Sequence, residues 1–282
     1  MPDLLTLHEP QIRLAAFAGV LALMAFLEFA LPRRIVDAVR ARRWTTNLAL
    51  AAIGTGLLRV AVPLLATGVA LEAERRGFGL FHWLGVPDVL AFVLSLAALD
   101  LLVYVQHVVF HKFDILWRMH RVHHADPHVD VTTGIRFHPL EILISMGLKM
   151  AAVALIGAPA AAVILFEIVL NAAAMFNHAN VRIDEKTDAL LRRIIVTPDM
   201  HRVHHSIYRD EQDMNFGFSI SLWDRLFGTY RANPREGQEA MRIGLADYPA
   251  PAPEGLGWSL VNPFSAHARG TPLPAKQSAG SE

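Results

Sequence analysis

The sequence contains no cysteine. That removes disulfides, thiolate nucleophiles, cysteine-ligated zinc and iron–sulfur clusters together. It also removes cysteine usage as a guide to redox compartment. Neither sign of charge is in excess, since 26 Lys and Arg balance 26 Asp and Glu over 282 residues. A neutral chain gives no electrostatic case for nucleic acid as a partner. There is no GxGxxG dinucleotide fingerprint, no HPGG haem motif and no HExxH zinc-hydrolase motif.

What the sequence has in quantity is apolar runs and histidine. Hydrophobic residues make up 53% of the chain, and the mean hydropathy is +0.33. The first run, Leu14–Leu31, is near the length that spans a bilayer and has Glu28 as its only charge. Pro32 and a basic stretch follow it with no cleavage-like site, which reads as a retained helix rather than a signal peptide. Further runs cover Asn47–Leu71, with Arg59 inside it, and Val86–Phe110, with Asp100 inside it. Two more cover about Ile142–Gly157 and Ala160–Asn177, joined by a turn at Gly157-Ala158-Pro159. The expectation is an all-α integral membrane helical bundle. Residues 1–94 hold its amino-terminal transmembrane helices.

Basic residues favour the cytoplasmic side of a membrane. Arg33, Arg34, Arg40, Arg42 and Arg43 therefore place the loop 33–46 inside and the amino terminus outside. Counting crossings from there puts every histidine cluster on the cytoplasmic face, as a histidine-rich helical cap. Arg75 and Arg76 fall outside and run against the rule. The segment 233–282 turns polar, then rich in Pro, Gly, Ala and Ser, and reads as a partly disordered tail.

The hexapeptide MHRVHH occurs twice, at 119–124 and at 200–205. In each copy the histidines stand at i, i+3 and i+4: His120, His123 and His124, then His201, His204 and His205. His107 and His111 are four apart at the end of an apolar run. These intervals put side chains on one helical face. Neutral imidazole is a good ligand for divalent iron, zinc or copper. Packing does not ask for such groups, because imidazoles at a bilayer edge are costly unless paired. Eight imidazoles exceed what one ion takes, so two ions are inferred. His128 lies past the turn at Asp126-Pro127, and His8, His82 and His267 lie far from the clusters; all four read as ordinary surface or turn residues. Asp100, seven residues before His107, is a candidate acceptor for a ligand imidazole's outer N–H, or a partner for Arg59. Asp199 and Asn180 are candidates for the same outer role, or ordinary cap and turn residues.

The series HVVFH (107–111), HRVHH (120–124) and HRVHH (201–205) resembles the histidine boxes of the fatty acid hydroxylase / sterol desaturase superfamily. Asp100 and Tyr104, RFHPLE (136–141), FNHAN (176–180) and NFGFSISLWDRLFGTY (215–230) agree with it. The resemblance covers roughly residues 95–232 and implies a di-iron catalytic domain there. It implies His107, His111, His120, His123, His124, His201, His204 and His205 as ligands of two irons. His178 is an additional ligand by position, and His138 a further candidate. Zinc can take the same nitrogens. The implied activity is hydroxylation or desaturation of a lipid (sterol, fatty acyl or isoprenoid) with O2 and two electrons. Lacking a cofactor motif of its own, the chain needs a separate electron-donor protein. Arg118, Arg121, Arg192 and Arg193 could dock such a donor, hold a lipid phosphate or simply obey the positive-inside rule. Met146, Met150, Phe166 and Met175 either line the lipid's path or face neighbouring helices. Two other readings stand beside this one. A zinc hydrolase would want a metal-activated water with a carboxylate base. A metal-transport or metal-binding protein would place its ligands near the midplane, whereas these gather at helix ends.

Overall fold

The computed structural model describes residues 8–35, 40–248 and 251–265. Helices of five or more residues are α1 (Glu9–Ala30), α2 (Arg40–Ala61), α3 (Ala66–Arg76), α4 (Asp88–Lys112), α5 (Asp114–His124), α6 (Pro139–Ile156), α7 (Ala160–Asn177), α8 (Glu185–Leu191), α9 (Pro198–His204), α10 (Leu222–Leu226) and α11 (Leu256–Val261). Among the described residues there are isolated bridges and no strands.

Proline and glycine set the boundaries. Pro10 opens α1, and Pro32 follows its end. The run Asn47–Leu71, expected as one helix, is two, because Pro63 has no N–H to continue the ladder. Gly157 closes α6 in the left-handed conformation at φ +71°, and α7 restarts after Pro159. Gly79 needs its own positive φ of +109°, and a Cβ there would stand 2.4 Å from Gly157. The two glycines thus let the chain after α3 lie against the α6–α7 turn.

Five helical segments are long and apolar enough to cross a membrane: α1, α2 with α3, α4, α6 and α7. Their outer faces carry exposed Leu14, Phe26, Phe29, Val60, Val89 and Leu155. Apolar surface on that scale marks a membrane protein. α7 is the central post and packs on α1, α3, α4 and α9, while α6 packs on α2, α3 and α4. One core gathers Leu58, Leu99, Met146, Val153, Val163 and Phe166 between these helices. A second, around Met24, Val131, Ile135, Met175 and Val181, lies where α1 ends. Arg75 and Arg76, which offended the charge rule, are both paired to Glu72, at 2.7 and 2.5 Å.

One end of the bundle is tied by buried polar groups. Arg43 at the start of α2 binds Asp126 at 2.8 Å and Asp130 at 3.0 Å. Arg136 donates to Asn47 and to the carbonyls of Val122 and Pro253. Glu28 accepts the backbone N–H groups of Val131 and Asn180. Residues 251–265, expected as irregular tail, instead form α11 and two flanking turns over α5, where Asn262 and Ser265 accept from Arg121. That buried contact removes Arg121 from the candidate docking arginines. Residues 233–248 of the expected tail are also described and include a helical turn at Gly237–Ala240, whereas 249–250 and 266–282, with His267, lie outside the described residues.

Candidate metal centre

Four segments bring the histidines together. His107 and His111 stand on the last turns of α4. Phe113, extended at φ −101° and ψ 123°, breaks the chain before α5. α5 then brings His120 to 3.1 Å from His107 and His124 to 3.1 Å from His111. His178 caps the end of α7. Thr197 caps α9 by accepting the Met200 N–H, and α9 presents His201, His204 and, one residue on, His205.

Nine imidazoles form two groups, each with ligand atoms within 4.8 Å of one another. One holds His107, His111, His120, His124 and His204, and the other His123, His178, His201 and His205. The hexapeptides cross over between them. The first copy gives its i and i+4 histidines to the larger group and its i+3 histidine to the smaller. The second copy does the reverse. The repeat is therefore a twofold-like exchange in which each copy serves both groups.

The outer ring nitrogens show the protonation state. His107, His123, His178 and His204 turn Nδ1 to the carbonyls of Phe216, Arg136, Ala174 and Met214 at 2.7–3.2 Å. A carbonyl only accepts, so each Nδ1 carries the proton and each neutral ring has a bare lone pair on Nε2. Yet His123 Nε2 and His178 Nε2 face each other at 3.0 Å. Two lone pairs at that distance repel unless they share a cation. Protonating one of them is opposed, because burial pushes His178 down to about 4 and His123 well below the usual imidazole range. Burial likewise takes His120 down to about 3, and burial with neighbouring imidazoles lowers His124, His201, His204 and His205. His204 Nε2 and both ring nitrogens of His205 are buried without a protein partner. The donor set is thus neutral, convergent and unsatisfied, as a pair of divalent transition-metal ions would require.

Other expected positions fall elsewhere. His138 stands apart: its Nδ1 accepts the Leu140 N–H at 3.2 Å, and its Nε2 donates to the Leu260 carbonyl. With both nitrogens engaged it is the cap of α6, not a ligand. Asp100 accepts from the Trp223 indole at 2.8 Å, not from His107 or Arg59. Seven residues at 1.5 Å each leave it about 10 Å from that ring along the helix. Asp199 pairs with Arg33 and Arg202, and Asn180 exchanges hydrogen bonds with the backbone of Arg34. The outer acceptors that sequence reasoning missed are Glu141, 2.7 Å from His120 Nδ1, and Asp213, 3.4 Å from His111 Nδ1. Glu141 ends the RFHPLE stretch, in which His138 is the residue with ligand chemistry. His128 is half-buried, while His8 and His82 are exposed.

A cavity of about 750 Å³ opens from His107 and His120 into the bundle. Phe110, Phe137 and Phe218 flank the histidines, and Leu48, Leu102, Val103 and Met146 continue the wall. Of the expected lining residues only Met146 is there; Met150, Phe166 and Met175 pack in the cores.

Residues 92–229 match the family described as fatty acid hydroxylase. Ornithine lipid hydroxylase of Rhizobium tropici is 31% identical over 65% of this chain and 53% of its own length. Alkylglycerol monooxygenase of Danio rerio is 29% identical over 64% of this chain and 40% of its own. A very-long-chain aldehyde decarbonylase of Oryza sativa subsp. indica is 30% identical over 56% and 26%. The chain thus spans about half or less of the length of these curated relatives. No solved structure matches it.

Proposed function

We propose, on the match of residues 92–229 to the fatty acid hydroxylase family, that this chain is a membrane-bound non-haem di-iron oxygenase, which hydroxylates or desaturates a lipid with O2 and two electrons from a separate protein. The observation that carries this reading is the two groups of buried imidazoles, in which bare Nε2 atoms face one another, as those of His123 and His178 do. Iron suits the reading better than zinc, which has no redox chemistry. Two irons there would supply dioxygen activation against an unactivated C–H bond, which no side chain achieves.

The chain's own residues do the rest. Glu141, Asp213 and four carbonyls hold six rings in one tautomer and orientation, which keeps them as neutral donors. The apolar cavity takes the alkyl chain from the bilayer and excludes water beside His107 and His120. The arginines at the start of α2 and after α1 share an end of the bundle with the histidines, which supports a cytoplasmic site within reach of a soluble donor.

The test is metal content and oxygen uptake. Protein purified from iron-supplemented cells should hold about two metals per chain, mostly iron, and consume O2 when reduced. The variant His123→Ala/His204→Ala should hold far less. One metal or none, unchanged in the variant, ends the oxygenase reading.

A further inference from the structure

The cavity does not end in apolar side chains. A polar ladder on α6 and a single amide on α7 stand beyond the histidines. On α6, Glu141, Ser145 and Lys149 follow at i, i+4 and i+8, and all three line the cavity. On α7, Asn171 and Ala174 line it below His178, at i, i+3 and i+7. Lys149 therefore stands about 12 Å from Glu141, and Asn171 about 10 Å from His178, along their helix axes. The two helices run in opposite directions, so these residues reach the same depth.

An ammonium inside a membrane bundle needs an explanation. Lys149 Nζ donates to Glu167 at 2.5 Å. Glu167 also receives Arg13 at 2.6 Å, and Arg13 holds Glu9 at 2.7 Å. Two cations and two carboxylates balance, so the network itself is neutral. A bare anion entering from the cavity would stay uncompensated. Lys149 nevertheless has three N–H donors, and Glu167 is the one described residue that accepts from it. The remaining donors border a largely apolar chamber, where an unmet donor is costly. An uncharged oxygen acceptor on the cavity's occupant meets them without upsetting the charge balance.

We propose that Lys149, with Asn171, is a subsite for the acyl carbonyl of an ester or amide lipid, holding that carbonyl about 12 Å from the histidine end of the cavity. This deepens the oxygenase reading and rests on it for the identity of the far end. It places the oxidised carbon far along the chain from the carbonyl rather than next to it.

The probes are methyl hexadecanoate, N-methylhexadecanamide and heptadecane, radiolabelled and bound to metal-loaded protein in detergent. Ester and amide should each bind about tenfold more tightly than the hydrocarbon, the scale of a hydrogen bond to a charged donor. Comparing the two indicates which kind of acyl lipid is preferred. Lys149→Met should erase the preference and leave heptadecane binding and metal content unchanged, while Lys149→Arg should restore it. In wild-type protein, an amide probe bearing a diazirine on its nitrogen should label the peptides of Lys149 or Asn171. Equal binding of all three probes, a preference that survives Lys149→Met, or labelling beside the histidines would overturn the subsite. Each of these is read from binding or labelling, without turnover. Failure of the oxygenase reading would show separately, as missing iron in protein that still discriminates among the probes.

Discussion

Six of the nine clustered imidazoles are oriented by a contact on the nitrogen facing away from the group. Removing such a contact should loosen the metal without touching a ligand. Glu141→Ala is expected to weaken metal binding in the five-histidine group about 10–100-fold, measured by chelator competition, and to affect the other group less. His123 and His204 belong to different groups. Each alanine variant should therefore lose the ion of its own group and hold the other more weakly, and turnover should vanish in both. The double variant should be no slower than either, because the residues act as a unit. The metal-free protein should also be acid-sensitive. Unfolded histidines take up protons near pH 6.5, whereas folded His178 does so only at about 4 and His120 at about 3. Between these values the unfolded chain binds more protons, so stability should fall as pH drops from about 6.5 toward 4. Denaturant titrations across that range check it. That the histidines converge was legible in the i, i+3, i+4 spacing. Their outer partners were not: four are backbone carbonyls, which every residue has, and Glu141 and Asp213 reach the rings from other segments.

At the scale of helices, close approach decides the geometry. Gly134 lies against the last turn of α7, and a Cβ there would stand 2.4 Å from the Ala174 carbonyl oxygen. That oxygen is the one His178 Nδ1 donates to. Gly134→Ala should cost about 1–3 kcal/mol in unfolding experiments, as overpacking does. It should also reduce metal in the four-histidine group, because α7 must shift and carry His178 with it. Sequence reading found the apolar helices by hydropathy and length. It passed over the Pro63 break and the helical character of 251–265, because that segment's order comes from partners far along the chain. Arg121, Arg136 and Thr46 fix it through Asn262, Ser259 and the Glu254 carbonyl.

For the molecule as a whole, orientation in the membrane is the open variable, and a cysteine-free chain is ready for mapping it. Lys186, beside the histidine end, and His82, between α3 and α4, are both exposed. A single cysteine at Lys186 should react with an impermeant thiol reagent from the cytoplasmic side only, and one at His82 from the opposite side only. The reverse pattern would invert the positive-inside assignment. The helices long and apolar enough to cross a membrane were readable from five apolar stretches, whereas the cavity was not. Its wall draws on six helices, α1, α2, α4, α5, α6 and α7, from distant parts of the chain, and only Met146 of its proposed lining was identified in advance.

The exchange between the two hexapeptides has a consequence for how the protein fills. Within each copy, the ring serving one group adjoins a ring serving the other, as His124 adjoins His123 and His205 adjoins His204. An ion that immobilises one group therefore stiffens the helical turn that aims the other. The ordering cost is met largely by the first ion, and the second arrives at a site already arranged. Loading should be cooperative, with empty and doubly filled molecules dominating and half-filled ones scarce.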